Sequence, residues 1–233
     1  MSANPRMVEV RAKVLKQNDF LAHSLRDQFR ANGVYVISLV SSPGSGKTAF
    51  LEKLLSRIGA DHRVAALVGD LATENDAARL QRAASQVKQI TTGTICHLDA
   101  QMVQKALESW RLDELDFLFI ENVGNLVCPS SYDLGEDLRL VLLSATEGED
   151  KPLKYPTIFN SSDAAVITKM DMAHAAEFDL ATARRNIEGV RPGMKIFEVS
   201  SKIGTGMDDV VAYLLAQREA SRTSALQQVA VQE

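Results

Sequence analysis

The sequence predicts an α/β fold: one mostly parallel, doubly wound sheet with helices on both faces. Three observations carry that expectation. Short apolar runs alternate with helical stretches along most of the chain, which is the strand–helix–strand order of such folds. The runs are apolar at nearly every residue instead of every second one, as in strands covered on both faces. A glycine-rich stretch, Pro43-Gly44-Ser45-Gly46, directly follows the first run and opens a helical stretch. With 233 residues, 45% of them hydrophobic and 24% charged, the chain is long enough to bury a core as one domain without disulfide staples.

Residues 7–30 read as a helix, because Val10, Val14, Leu21, Leu25 and Phe29 recur at helical spacing among charged residues. Ala31-Asn32-Gly33 ends it. The strand-like runs are Val34–Val40, Val64–Val68, a weaker Val87–Ile90, Phe117–Ile120, Leu138–Leu143, Ala164–Ile167 and Lys195–Val199. Helices are expected near 46–58, 74–84, 98–109, 174–189 and 207–219, the second entered through Thr73, Glu74, Asn75 and Asp76 as a possible cap. The closing SALQQVAVQE reads as frayed. The expected organisation is therefore an N-terminal helix over 1–33, packed on or leading into the domain, a domain over 34–219 and a flexible tail over 220–233.

Charge and cysteine content narrow the class. Lys and Arg number 26 against 30 Asp and Glu, a net charge of −4, so neither nucleic acid nor an anionic membrane is the expected partner. No apolar run is long enough to span a bilayer, and the polar N-terminus is not a signal peptide. Two cysteines cannot form a disulfide scaffold, and a reducing cytoplasm is the expected location.

Ser41-Ser42-Pro43-Gly44-Ser45-Gly46-Lys47-Thr48 is a phosphate loop in the context that makes one credible, between a strand and a helix. Gly44 and Gly46 let successive N–H groups curl around a phosphate, with Ser45 between them and Ala49 in the first helical turn. The helix start adds its positive end. Lys47 reaches the terminal phosphates and Thr48 offers a hydroxyl to Mg²⁺. Ser41 stands where the usual pattern has glycine. Two acids end predicted strands, Asp70 and Glu121, at the sheet edge where open α/β folds bind ligands. Asp70 is the expected second Mg²⁺ ligand. Either acid is placed to orient an attacking water, so Lys47, Asp70 and Glu121 form the expected catalytic group. Glu121-x-x-Gly124 resembles the D-x-x-G element of GTPases, whose glycine N–H touches a γ-phosphate.

Thr168-Lys169-Met170-Asp171 follows the Ala164–Ile167 strand, and guanine-reading proteins carry N/T-K-x-D there. The carboxylate accepts from guanine N1–H and the exocyclic amine, and the lysine stem covers the base. Ser200-Ser201-Lys202 follows the last strand, in the place of a loop whose backbone reads guanine O6. The order and spacing of these elements favour GTP and GDP over ATP. Cys96-His97 and Cys128 also lie near strand ends. Thiolate and imidazole suit Zn²⁺ or Ni²⁺. One chain offers at most three such ligands here, so a fourth comes from water, another side chain or a second chain; on spacing alone, two buried structural cysteines remain the alternative.

The stretches LVSSPGSGKT, GDLATENDAARL, TTGTICHLDAQMV, FLFIENVGNLVCP, YDLGEDLRLVLLSATEGEDKPLKYP and TKMD resemble the HypB family of hydrogenase-maturation nickel-incorporation GTPases, over about residues 10–217. The resemblance implies a single P-loop GTPase domain of the SIMIBI class with slow hydrolysis. It implies a GTP-dependent homodimer with a nickel or zinc site of Cys96, His97 and Cys128 at its interface. It also implies partners: a nickel-delivery protein and the large subunit of a hydrogenase. Thr168 departs from the family's usual asparagine, and Thr92-Gly93-Thr94-Ile95 departs from its usual T-G-K-G before Cys-His. Neither a cysteine motif nor a histidine-rich stretch precedes the core in this sequence, which argues against nickel storage. The alternatives are a GTPase chaperone for a urease- or cobalamin-type enzyme and a P-loop small-molecule kinase.

Overall fold

The computed structural model describes residues 5–70 and 75–232; Thr73 and Glu74 of the expected cap lie outside them. The elements are α1 (Pro5–Ala31), β1 (Tyr35–Ser41), α2 (Lys47–Ile58), β2 (Val64–Asp70), α3 (Asn75–Leu80), β3 (Gln86–Thr91), α4 (Ala100–Leu107), β4 (Phe117–Glu121), β5 (Leu138–Ser144), α5 (Lys151–Lys154), α6 (Pro156–Asn160), β6 (Ala164–Thr168), α7 (Leu180–Val190), β7 (Lys195–Glu198) and α8 (Met207–Gln232). Among the described residues, seven strands form one sheet in the order β3-β2-β4-β1-β5-β6-β7, with every pairing parallel. β1 is central. The chain builds outward from it on one side through β4, β2 and β3, and on the other through β5, β6 and β7, which is the doubly wound plan.

Residues of β1 alternate between two apolar layers, as a strand buried on both faces must. Ile37 and Leu39 join Phe50 and Leu54 of α2 and Val210 and Leu214 of α8. Val36 joins Leu25 and Phe29 of α1 and Val103 of α4, whereas Val40 joins Phe159 of α6 and Ile187 of α7. The continuous apolar runs are the sequence record of this two-sided burial. β1, β4, β5 and β6 are buried at every position.

Differences from the sequence expectations have local causes. α7 starts at Leu180 and not near 174, because the Asp179 carboxylate caps it, accepting from Thr182 N at 3.0 Å. α4 starts after Asp99 for the same reason, with Met102 N at 2.8 Å. α8 continues to Gln232, through the stretch set apart as a tail; no glycine or proline follows Gly206, and Ala, Leu, Gln and Arg recur there. α5 and α6 arise in the 151–160 stretch, each with proline near its start, and were not expected. Among the described residues, no helix is long and apolar enough to cross a membrane.

Candidate functional site

The C-terminal ends of β1, β2 and β4 open onto a cavity of about 400 Å³. Its lining includes Gly44, Gly46, Lys47, Thr48, Ala49, Asp70, Glu121 and Gly124. Gly46, which caps α2, has φ 91°, in the left-handed region that admits glycine without strain. Lys47 is buried, and its ammonium donates to Ser41 Oγ at 2.8 Å. Ser41 Oγ also contacts Ser45 Oγ. The serine in the first loop position is thus a lysine partner. Thr48 Oγ1 donates to Glu121 Oε1 at 2.8 Å, so the phosphate loop and the end of β4 meet directly. Gly124 lies so close to the loop that a Cβ there would sit 2.9 Å from Pro43 Cα. Only glycine allows that approach.

The segments expected to read the base converge on the same loop. Thr168 is buried; its hydroxyl donates to the Ser45 carbonyl at 2.7 Å. Lys169 Nζ donates to the Gly44 carbonyl at 2.7 Å. Lys169 itself is left-handed, with φ 57°, which turns the chain from β6 toward the loop. Ser200 Oγ donates to Asp171 Oδ1 at 2.5 Å, and Met170 N donates to the Val199 carbonyl at 3.1 Å, so the loops after β6 and β7 are tied together. Ser201 and Lys202 lie in the turn closed by Gly204 N on the Ser200 carbonyl at 2.8 Å.

The second cluster stands beyond β3 and β4. Ligand atoms of Cys96, His97 and Cys128 all lie within 4.8 Å of one another. The two sulfurs are 2.8 Å apart, and both cysteines are free thiols. His97 stacks on Tyr132, with ring centroids 4.0 Å apart, and its Nδ1 is buried with no hydrogen-bond partner. Burial holds the His97 imidazole below its ordinary pKa, in the neutral form a metal takes. Cys96 beside it, and then burial, push the Cys128 thiol up, so a cation entering here displaces protons. An orphaned imidazole nitrogen and two adjacent thiols fit a borderline-soft divalent ion and not Mg²⁺.

The structure also brings in residues that motif reading passed over. Arg79 lines the phosphate cavity, with Nε 2.6 Å from Glu52 Oε2 of α2. Asn122 lines it too and is buried. Both fall inside stretches that carry the family resemblance, but at positions to which motif reading gave no role. A lone arginine inside a short helix and an asparagine after a strand have no sequence signal that separates them from surface or turn residues.

Residues 35–198 match the model of the CobW/HypB/UreG nucleotide-binding domain. The chain is 43% identical over 217 residues to hydrogenase maturation factor HypB of Azotobacter chroococcum mcd 1, spanning 92% of this chain and 70% of that one. It is 44% identical over 203 residues to hydrogenase/urease maturation factor HypB of Helicobacter hepaticus, spanning 85% and 83%. The crystal structure of HypB from Helicobacter pylori in complex with nickel superposes with a TM-score of 0.84 at 41% identity, covering 88% of this chain and 97% of that one. With both its nucleotide-binding domain and nearly its whole length matched, the chain belongs to the HypB hydrogenase maturation factors of the CobW/HypB/UreG family.

Proposed function

We propose that this protein is a GTP-binding, slowly GTP-hydrolysing metallochaperone that delivers nickel during hydrogenase maturation. The observation that carries this is the shared exit from β4. Glu121 touches the phosphate loop through Thr48, and seven residues later the same segment supplies Cys128 to the thiol–imidazole cluster. In this proposal Gly44 to Ala49 cradle the phosphates, and Lys47 and Arg79 neutralise their charge. Thr48 and Asp70 hold Mg²⁺, which when bound screens the β- and γ-oxygens. Glu121 or Asp70 orients the attacking water. Asp171, held by Ser200, reads the guanine edge, and Lys169 covers the base. Cys96, His97 and Cys128 carry Ni²⁺, or Zn²⁺ in its place, as cargo. The remaining elements of the proposal are the GTP-dependent homodimer, a nickel-delivery partner, the hydrogenase large subunit as client and a cytoplasmic location.

Competition between GTP and ATP, combined with Ni²⁺ titration of the wild type and of the Cys96→Ala/Cys128→Ala variant, tests it. GTP should displace a labelled guanine nucleotide at concentrations where ATP does not, and the double variant should lose most Ni²⁺ binding. Equal competition by ATP, or unchanged Ni²⁺ binding, would overturn it. A second client is supported by the relatives named as hydrogenase/urease maturation factors. Complementation of strains lacking the endogenous factor, scored for hydrogenase and for urease activity, separates the two clients.

A further inference from the structure

Two buried asparagines hold the loop that carries Cys96 and His97. Asn18 of α1 accepts from Ala100 N at 2.9 Å and donates to the Asp133 carbonyl at 2.9 Å. Asn122, 2% exposed, does the equivalent from the nucleotide side. Its Oδ1 accepts from Leu98 N at 3.0 Å and from Val123 N at 2.9 Å. Its backbone N–H donates to the Leu39 carbonyl of β1 at 3.0 Å. One residue therefore touches the strand that leads into the phosphate loop, the turn that carries Gly124, and the residue next to His97.

Leu98 is held on a second side. It is fully buried, and it packs against Gly69 so closely that a Cβ there would sit 2.8 Å from Leu98 Cγ. Gly69 directly precedes Asp70. Leu98 is thus wedged between the ends of β2 and β4, the two strands that bring Asp70 and Glu121 to the cavity. Close-packed contacts of this kind shift between discrete arrangements instead of yielding gradually. A nucleotide that repositions the 122–124 turn must carry Asn122 Oδ1 with it. Leu98 N then either follows, moving His97, or loses a buried acceptor.

We infer that Asn122 is a positioning residue that transmits the nucleotide state to the metal ligands, through the hydrogen bond from Leu98 N to its side-chain oxygen. The inference rests on the function proposed above. It predicts that the local bond to Val123 maintains the turn, whereas the bond to Leu98 carries the coupling.

The test is a Ni²⁺ titration of the full chain with GDP and with a non-hydrolysable GTP analogue, both with Mg²⁺. In the wild type the two affinities should differ by about fivefold or more, the ordinary size of such a coupling. In Asn122→Ala the ratio should collapse to within about twofold of one. Asn122→Ser is the gentler variant: its hydroxyl serves the adjacent turn but is too short for Leu98, and its ratio should collapse as well. A residue with a merely structural role would weaken both affinities and leave the ratio at its wild-type value; that result overturns the inference. Hydrogen exchange in the wild type needs no variant. Protection of the Leu98 amide should differ between the two nucleotide states, and identical protection overturns the inference too. A wild-type ratio of one would instead remove the nucleotide gating on which the inference stands.

Discussion

Thr168 shows how much one side chain's geometry decides. Its hydroxyl proton is committed to the Ser45 carbonyl, so it tethers the 168–171 loop to the phosphate loop, and in the function proposed above guanine selection falls to Asp171. Asp171→Asn should lower GTP affinity about tenfold or more, the scale of a lost charged hydrogen bond. It should also favour xanthosine triphosphate, whose base presents a carbonyl where guanine has an amine. Competition binding of the two nucleotides reads this, and unchanged preference would remove Asp171 from the base site. Arg79 bears on turnover. The cavity holds Lys47 and Arg79 against Asp70 and Glu121, and a triphosphate brings more negative charge than one lysine offsets. Arg79→Ala should slow GTP hydrolysis about tenfold or more while GDP affinity changes less than about threefold. A full wild-type rate would assign Arg79 to the Glu52 ion pair alone. At this scale the phosphate loop and the T-K-x-D element were legible because phosphate and guanine each demand fixed residue types at short spacing, whereas Cys96 and Cys128, 32 residues apart, were read as a metal pair only through the family resemblance. Arg79 and Asn122 were not legible, because their meaning comes from neighbours 27 and 24 residues away.

The inner strands β1, β2, β4, β5 and β6 were legible as elements because burial on both faces removes polar residues and leaves unbroken apolar runs, whereas the edge strands β3 and β7 are part-exposed and carry lysine among their apolar residues. Helix ends were less so. Asp99 and Asp179 became caps only because their side chains turned back onto the following N–H groups, a choice that composition does not record. α8 is the clearest case. Besides the core packing of Val210 and Leu214, it is tied to the sheet by Asp116, just before β4, which accepts from Arg218 Nη2 at 2.8 Å and from Arg63 through both its backbone N–H and its guanidinium. Arg218 is nearly buried over the Phe117 ring, 5.0 Å from its centroid. Hydrogen bonding from Arg63, followed by the nearby Arg218 charge, lowers the Asp116 carboxyl to about 2. Its folded pKa lies below its ordinary value of 3.8, so the stabilisation is complete above about pH 4 and is lost as pH falls toward 2. Asp116→Ala should cost about 1–3 kcal/mol at neutral pH, because Arg218 is left without its partner. The gap between variant and wild type should close as pH falls through that window. Urea unfolding at several pH values measures the gap. A gap that stayed constant down to pH 2 would show that the loss is one of packing and not of charge.

At the scale of the whole molecule, both sites share one end of the sheet, and among the described residues the thiol–imidazole site is short of ligands. Cys96, His97 and Cys128 supply three donors, while a divalent ion of this class takes four. The residues immediately before both cysteines are exposed and apolar: Ile95 at 40% and Val127 at 61% exposure. Apolar side chains left in water beside an incomplete coordination set suit a second copy of the chain. Paired across a two-fold axis, two such sites bring four thiolates together and cover the apolar rim, and an isologous contact closes without further growth. The nucleotide governs that contact if the segments leaving β2 and β4 take one arrangement with a γ-phosphate and another without it. Sedimentation should therefore show a larger dimer fraction with a GTP analogue and Mg²⁺ than with GDP, and Ni²⁺ should raise the dimer fraction further. Val127→Asp should lower it by placing like charges across the axis, while leaving nucleotide affinity within about twofold of wild type. Equal mass with both nucleotides would uncouple assembly from GTP. A dimer insensitive to Val127→Asp would place the contact on another face, and the three donors would then need water or a client protein to complete their coordination.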